Sequence, residues 1–394
     1  MHDKLAYLIK HNRVIQFLYC HIMSFVFRFI GLFVRMDNKL MLFNSYGGES
    51  YNDSSKVLYE AILKDERFSD NHFVWAFDNL AKVSRENCPE VWNDRTKLVK
   101  IDTLSYFMTA LKAKVWITNV NIERGLHFKK KNTIYLNTWH GTGPKKGGNA
   151  YQGRKDYDFS IVDILCVDGE YEKDVMVKMF NGNERNMLYC GRPREDELFT
   201  FDTNDKRRIK EKLEIPNEKK VLLYMPTWRE GNNCELEWNK WEKKLAKDYV
   251  VLVRSHHFAK TNIFHNHESK FWVDVSDYKN VNELYCVSDI LISDYSSAIF
   301  DYGLLGRPVI SFAKDHDEYM KDYGLFMDNW EAIFPNGVMR NDNQVLEFIT
   351  SMNYEEQSRT CKKFIDSIVS HPGNATQSCL DRLFQLLSGG ISNG

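Results

Sequence analysis

The stretch "DILISDYSSAIFDYG", residues 289–303, decides the fold. Ile290, Leu291 and Ile292 make an apolar run of strand length, and the chain then enters a helix whose first turn holds Ser296 and Ser297. A strand feeding a helix in this way is the unit of a parallel sheet covered on both faces. The same alternation runs outward in both directions. On the carboxyl side lies "RPVISF" (307–312), and on the amino side lie "YVVLVRS" (249–255) and "KKVLLYMP" (219–226), separated by helical stretches such as 236–247 and 296–305. Further back come "DILCVDG" (163–169), "TIYLNTW" (133–139), "AKVWITN" (113–119), "HFVWAFD" (72–78) and "KLMLFNS" (39–45), with an amphipathic helix predicted over 53–64.

The two series are joined by the polar, turn-rich segment 189–220, and a chain of 394 residues exceeds what one core ordinarily supports. The expected class is therefore α/β. The expected organisation is an amino-terminal helix over 1–36, an α/β domain over 37–200 and a second over 201–394, whose helices from about 342 return across the hinge. Apolar side chains at 43% and aromatics at 14% supply two full cores, which excludes a disordered chain. The 53 basic and 54 acidic side chains cancel, which excludes a protein that coats nucleic acid by bulk charge, so any anion is held locally. Eight cysteines fall at 20, 88, 166, 190, 234, 286, 361 and 379 with no CxxC pair, which predicts a reducing compartment and no structural zinc.

Residues 14–34, "VIQFLYCHIMSFVFRFIGLFV", are long enough to cross a bilayer yet carry Gln16, His21, Ser24 and Arg28. At helical spacing Lys10, His21, Ser24, Arg28 and Arg35 share one stripe. This pattern predicts a helix lying in the membrane interface, with basic residues drawn to anionic lipid; packing on the protein's own core is the rival reading.

In doubly wound sheets ligands bind beyond the carboxyl ends of strands. His140 follows "TIYLNTW" and is itself followed by Gly141-Thr142-Gly143-Pro144-Lys145, a loop whose glycines let backbone approach a ligand. Thr227, Trp228 and Arg229 follow a second strand, and Arg254, His256 and His257 a third; Ser296 and Ser297 offer hydroxyls and a helix start to a phosphate. Each group also has a plain structural reading, as a turn residue or as an N-cap by Asp294 or Ser296. A metal at "RSHH" is disfavoured because adjacent side chains on extended backbone point opposite ways. Together the strand ends suit a shared pyrophosphate, held without metal or other cofactor.

The motifs "NTWHGT" (137–142), "GRPREDELF" (191–199), "MPTWR" (225–229), "RSH" (254–256) and "NELYCVSDILISDYSSAIFDYGLLGRPVISF" (282–312) together resemble the CDP-glycerol glycerophosphotransferase family of wall teichoic acid synthesis. The resemblance implies a GT-B fold, two Rossmann-like domains facing across a cleft. It also implies His140 as catalytic base, His256 near the donor pyrophosphate, and donor contacts at Gly141, Thr142, Arg194, Thr227, Trp228, Arg254, Ser296, Ser297 and Asp301. Where the family usually continues WHGT with Pro-Leu-Lys, this chain has Gly143-Pro144-Lys145. The activity so implied is transfer of glycerol or ribitol phosphate from CDP-glycerol or CDP-ribitol to a hydroxyl of an undecaprenyl-diphosphate-linked glycan, with release of CMP. The expected location is the cytoplasmic face of the membrane. A GT-B glycosyltransferase using a nucleotide-sugar, or a non-catalytic polymer-binding protein of the same fold, are the other readings open at this point.

Overall fold

The computed structural model describes residues 12–150, 157–227, 236–254, 269–370 and 372–389. Strands β1 (Asp37–Phe43), β2 (His72–Phe77), β3 (Thr96–Lys100), β4 (Ala113–Thr118), β5 (Ile134–Asn137), β6 (Ile164–Val167) and β7 (Met187–Tyr189) form one sheet in the order β3-β2-β1-β4-β5-β6-β7. Strands β8 (Lys220–Met225), β9 (Tyr249–Val253), β10 (Trp272–Asp274), β11 (Ile290–Ser293), β12 (Val309–Phe312) and β13 (Val338–Met339) form a second, in the order β10-β9-β8-β11-β12-β13. Every pairing is parallel.

Alternation along each strand divides its side chains between two cores. Leu40 and Leu42 of β1 join Trp116, Tyr135 and Leu165 on one face, while Met41 and Phe43 join Val115, Ile117, Leu136 and Cys166 on the other. Val221 and Leu223 of β8 separate from Leu222 and Tyr224 in the same way. Burial on both faces is why these strands read as unbroken apolar runs. The four strands that the sequence patterns do not mark, β3, β7, β10 and β13, are the four sheet edges. In β3, "TKLVK", only Val99 is buried, so no apolar run exists to be read.

The carboxyl-terminal helix Ala375–Gly389 packs on the first sheet, where Ala375, Cys379, Leu380 and Leu383 are buried against Met41, Phe43 and Cys166. Its start is held by the segment joining the two sheets. The amides of Ala375 and Thr376 donate to the Asp196 carboxylate at 2.9 and 2.8 Å, satisfying donors that a helix start leaves open.

The amino-terminal helix Arg13–Phe33 is docked along a seam that combines Ser24 and Arg28 of its polar stripe with Phe27 and its apolar neighbours. Ser24 Oγ accepts the His127 amide at 2.9 Å, Arg28 Nε donates to the His127 carbonyl at 2.6 Å, and Phe27 is buried against Phe107 and Phe128. Only 11% of the apolar stretch is buried. Val14, Phe17, Leu18, Ile22, Phe25, Phe29, Leu32 and Phe33 stand exposed, Leu32 at 78%. Of the polar stripe, Ser24 is buried and Arg28 reaches the His127 carbonyl from an exposed position, while His21 stays exposed, so the loop at 127 anchors the middle of the stripe.

Asp196→Ala should cost about 1 kcal/mol, the usual worth of a helix cap, read as earlier urea unfolding of the unit containing the first sheet; Asp196→Asn should recover part of it.

Candidate active site

Residues just past β1, β4 and β5 gather together, the loop after β5 meets the residues just past β11, and Arg194 of the segment Pro193–Phe199 bridges the two sides. At the end of β5, Trp139 adopts φ 52°. A bulky residue in the left-handed region costs on the order of 1–3 kcal/mol and persists only where surroundings enforce it. Here the indole is buried, with ring centroids 4.6 Å from Phe180 and 5.4 Å from Phe159.

That turn delivers His140 to the Asn119 carbonyl at the end of β4, with Nδ1 and O 2.9 Å apart. A carbonyl only accepts, so Nδ1 carries the proton and Nε2 presents its lone pair. Burial lowers the His140 pKa to about 4, so the ring is neutral at neutral pH. The Asn119 side chain also accepts the Tyr46 amide at 2.8 Å, and the Tyr46 ring lies 5.6 Å from that of His140.

The loop after His140 closes onto the second sheet's unit. A Cβ on Gly141, whose φ is 116°, would stand 2.7 Å from Ser297 Oγ, and one on Gly143 would stand 2.7 Å from the Tyr295 carbonyl and 3.0 Å from the Ser297 amide. Both glycines are therefore required by the approach. The Phe326 amide then donates to the Pro144 carbonyl at 2.7 Å, so the stretch that departs from the family's usual Pro-Leu-Lys also binds the second unit. Thr142 points the other way. Its hydroxyl donates to Glu172, whose second oxygen accepts the Asp168 amide at 2.7 Å, and Glu172, Asp168 and Glu195 surround Arg192. Burial pushes the Glu172 carboxyl up, against the pull of Arg192. The Thr142 hydroxyl thus anchors the loop.

Arg194 ties three elements together. It donates to Asp53 at 2.7 Å, to the His140 carbonyl at 2.9 Å and to Asp301 at 2.8 Å. Burial alone would raise the Asp53 carboxyl, but Arg194, the Ser54 amide and the Tyr46 hydroxyl hold it below its ordinary value. Thr227, at the end of β8, donates both amide and hydroxyl to Asp294, at 2.9 and 2.6 Å. Ser296 Oγ accepts the Ala298 amide at 3.3 Å just ahead of the short helix Ala298–Gly303, whose N-cap position is held by Ser297. Arg254 stands apart, donating to the carbonyls of Val275 and Tyr278 at 3.1 and 2.7 Å beside a cavity of about 370 Å³ that Tyr51, Asp78, Lys82 and Lys279 also line.

His140, Gly141, Arg194, Ser297 and Asp301 thus come together, with Thr142 anchored behind them and Thr227 alongside through Asp294. Trp228 and His256, and with them Arg229 and His257, lie outside the described residues. The sequence reading passed over Tyr46, Asn119, Asp53, Glu172 and Arg192. Tyr46 and Asn119 sit just past strand ends, so the rule that found His140 reaches them too. Asp53 reads as a helix cap and Arg192 as hinge, and neither carries a local signal of its buried partner.

Over residues 26–385 the chain matches the family described as CDP-Glycerol:Poly(glycerophosphate) glycerophosphotransferase. The chain belongs to this glycerophosphotransferase family. It is 29% identical to the teichoic acid poly(glycerol phosphate) polymerase of Bacillus spizizenii, across 88% of this chain and 91% of that protein. It is 30% identical to the teichoic acid glycerol-phosphate transferase of Staphylococcus aureus, across 82% and 86%. A solved structure of the wall teichoic acid polymerase TagF superposes with TM-score 0.77 at 28% identity, covering 91% of each chain. The two parallel sheets and this likeness make the glycerophosphotransferase fold GT-B.

Gly143→Ala should lower turnover about 100-fold, the scale on which a misplacement near 1 Å acts, because its Cβ meets backbone that cannot yield. Circular dichroism should remain that of the parent, and full turnover would show that the loop does not need this approach.

Proposed function

We propose that the chain transfers a polyol phosphate, glycerol phosphate above all, from a CDP-activated donor to a hydroxyl of a lipid-linked acceptor, releasing CMP, in the synthesis of teichoic acid or a related cell-surface polymer. The observation that carries the reading is His140, neutral, with Nδ1–H committed to Asn119 and Nε2 open as a proton acceptor where the two units meet. The acceptor oxygen attacks the donor's β-phosphorus in line; the new P–O bond forms as the bond to CMP breaks, and the hydroxyl proton passes to Nε2. Ser296, Ser297 and Thr227, with His256, Trp228 and Arg254, serve the donor. Gly141 lets the loop approach, while Thr142, committed to Glu172, and Arg194 and Asp301, committed to each other, shape the pocket. Residues 37–200 form the acceptor side and 201–394 the donor side.

The acceptor of this reading resides in a membrane, and the amino-terminal helix offers the means to meet it there. Its protein-facing seam leaves a broad apolar face uncovered, which suits burial at the headgroup boundary of the cytoplasmic leaflet. Phe25→Asp with Leu32→Asp should stop sedimentation with anionic liposomes while turnover of a soluble acceptor analogue is kept. Sedimentation unchanged in this double variant would remove the membrane role.

CMP release from CDP-glycerol and, separately, from CDP-ribitol tests the reaction, and His140→Ala should reduce it by about 10²–10⁴, the range of a lost general base. Because burial depresses His140 to about 4, kcat/KM should hold level as pH falls through 6.5 and decline only as it nears 4, where the base takes up its proton. An acid limb centred near 6.5 would assign the base elsewhere.

A further inference from the structure

We propose that Cys166, Cys190 and Cys379 form a three-thiol site for a trivalent thiophilic centre of the arsenous acid class. Cys166 lies in β6, Cys190 directly after β7 and Cys379 on the returning carboxyl-terminal helix. Their three sulfurs lie within 4.8 Å of one another, and those of Cys166 and Cys379 are 3.4 Å apart. Among the described residues no other cysteines, histidines and carboxylates gather this closely. Metal–sulfur bonds of about 2.3 Å place sulfurs on a shared centre roughly 3.5–4 Å apart, so one pair already stands near that spacing and the rest require small side-chain rotations.

Charge selects the ligand. All three thiols are buried, Cys166 and Cys379 completely, and their charged neighbours include the carboxylates of Asp168 and Asp196 as well as Arg192, which is already committed to Asp168, Glu172 and Glu195. The Oδ1 atom of Asp168 is buried without a hydrogen-bond partner and so is Nε of Arg192, but the Arg192 charge is already matched by Asp168, Glu172 and Glu195, so added negative charge meets one donor and no unmatched positive charge. Three thiolates around a divalent ion bury a net negative charge, and around a monovalent ion two, which this interior opposes. A trivalent centre is neutral. One arsenous acid and three thiols give one arsenic tris-thiolate and three waters; three As–O bonds are exchanged for three As–S bonds, each thiol proton leaves in water, and no oxidant or reductant takes part. Entry goes through local opening of the helix Ala375–Gly389, and ligation then staples that helix to β6 and β7.

The test uses the reduced full chain incubated with sodium arsenite, desalted and weighed by native mass spectrometry. One retained arsenic per chain, three sulfurs around it by X-ray absorption, a raised melting temperature and an uptake rate that levels off with arsenite concentration are expected. Cys379→Ser should weaken retention by about 10²-fold or more through loss of one intramolecular attachment, and Cys88→Ser should leave it unchanged. Cys190→Ala is scored in place of any serine variant that melts below the parent before arsenite is added. No retained arsenic, retention undiminished without Cys379, or arsenic held by two sulfurs would overturn the site. Zinc retained as firmly as arsenic would overturn the charge argument.

Discussion

Arg194 joins three groups drawn from distant parts of the chain: the Asp53 carboxylate, the His140 carbonyl and the Asp301 carboxylate. A guanidinium this deeply buried is tolerable only with its charge matched and its donors used, and removing one partner of such a set ordinarily costs about 3–5 kcal/mol. The cost makes the arrangement close to all-or-none. Asp53 belongs to the first sheet's unit, Asp301 to the second and Arg194 to the segment between, so one side chain sets the distance across which any reaction must occur. Its bond to the His140 carbonyl fixes the backbone of the proposed base at the same time.

The other constraints follow from that distance. Gly143 is needed because backbone meets backbone there and Gly141 because it combines a positive φ with contact on the Ser297 side chain, and Trp139 accepts a left-handed conformation because its indole is enclosed by aromatic rings. Thr142 and Glu172 hold the loop from behind, through a buried cluster around Arg192. Strain and buried charge gather at one place, where they hold a neutral imidazole against the Asn119 carbonyl.

The amino-terminal helix shows the same economy of polar groups. A helix with both an apolar surface and a polar stripe normally turns the stripe to water; here the exposed backbone of the loop at 127 engages Ser24 and Arg28 from that stripe, leaving many apolar side chains outward. A helix so oriented sits well at a lipid surface and poorly in water.

The class of fold, and the positions of several residues that gather in the candidate site, were legible in the sequence. Strands buried on both faces, such as "KKVLLYMP" and "DILISD", must be written as apolar runs, and ligand-side residues follow them directly, so His140, Thr227 and Ser296-Ser297 could be found by position alone. The edge strands β3, β7 and β10 escaped because partial burial writes too weak a pattern, and β13 because two residues are too short a run to read. Long-range packing alone settles that Arg194 and Asp301 bind one another rather than standing open, that Thr142 turns to Glu172, that Ser24 and Arg28 of the first helix meet the loop at 127, and that Cys166 meets Cys379 across 213 residues of chain. The reason is physical: the period of a strand or helix records which side of it is buried, whereas the partner that a buried charge or thiol meets depends on where separate elements pack, and no local pattern records that.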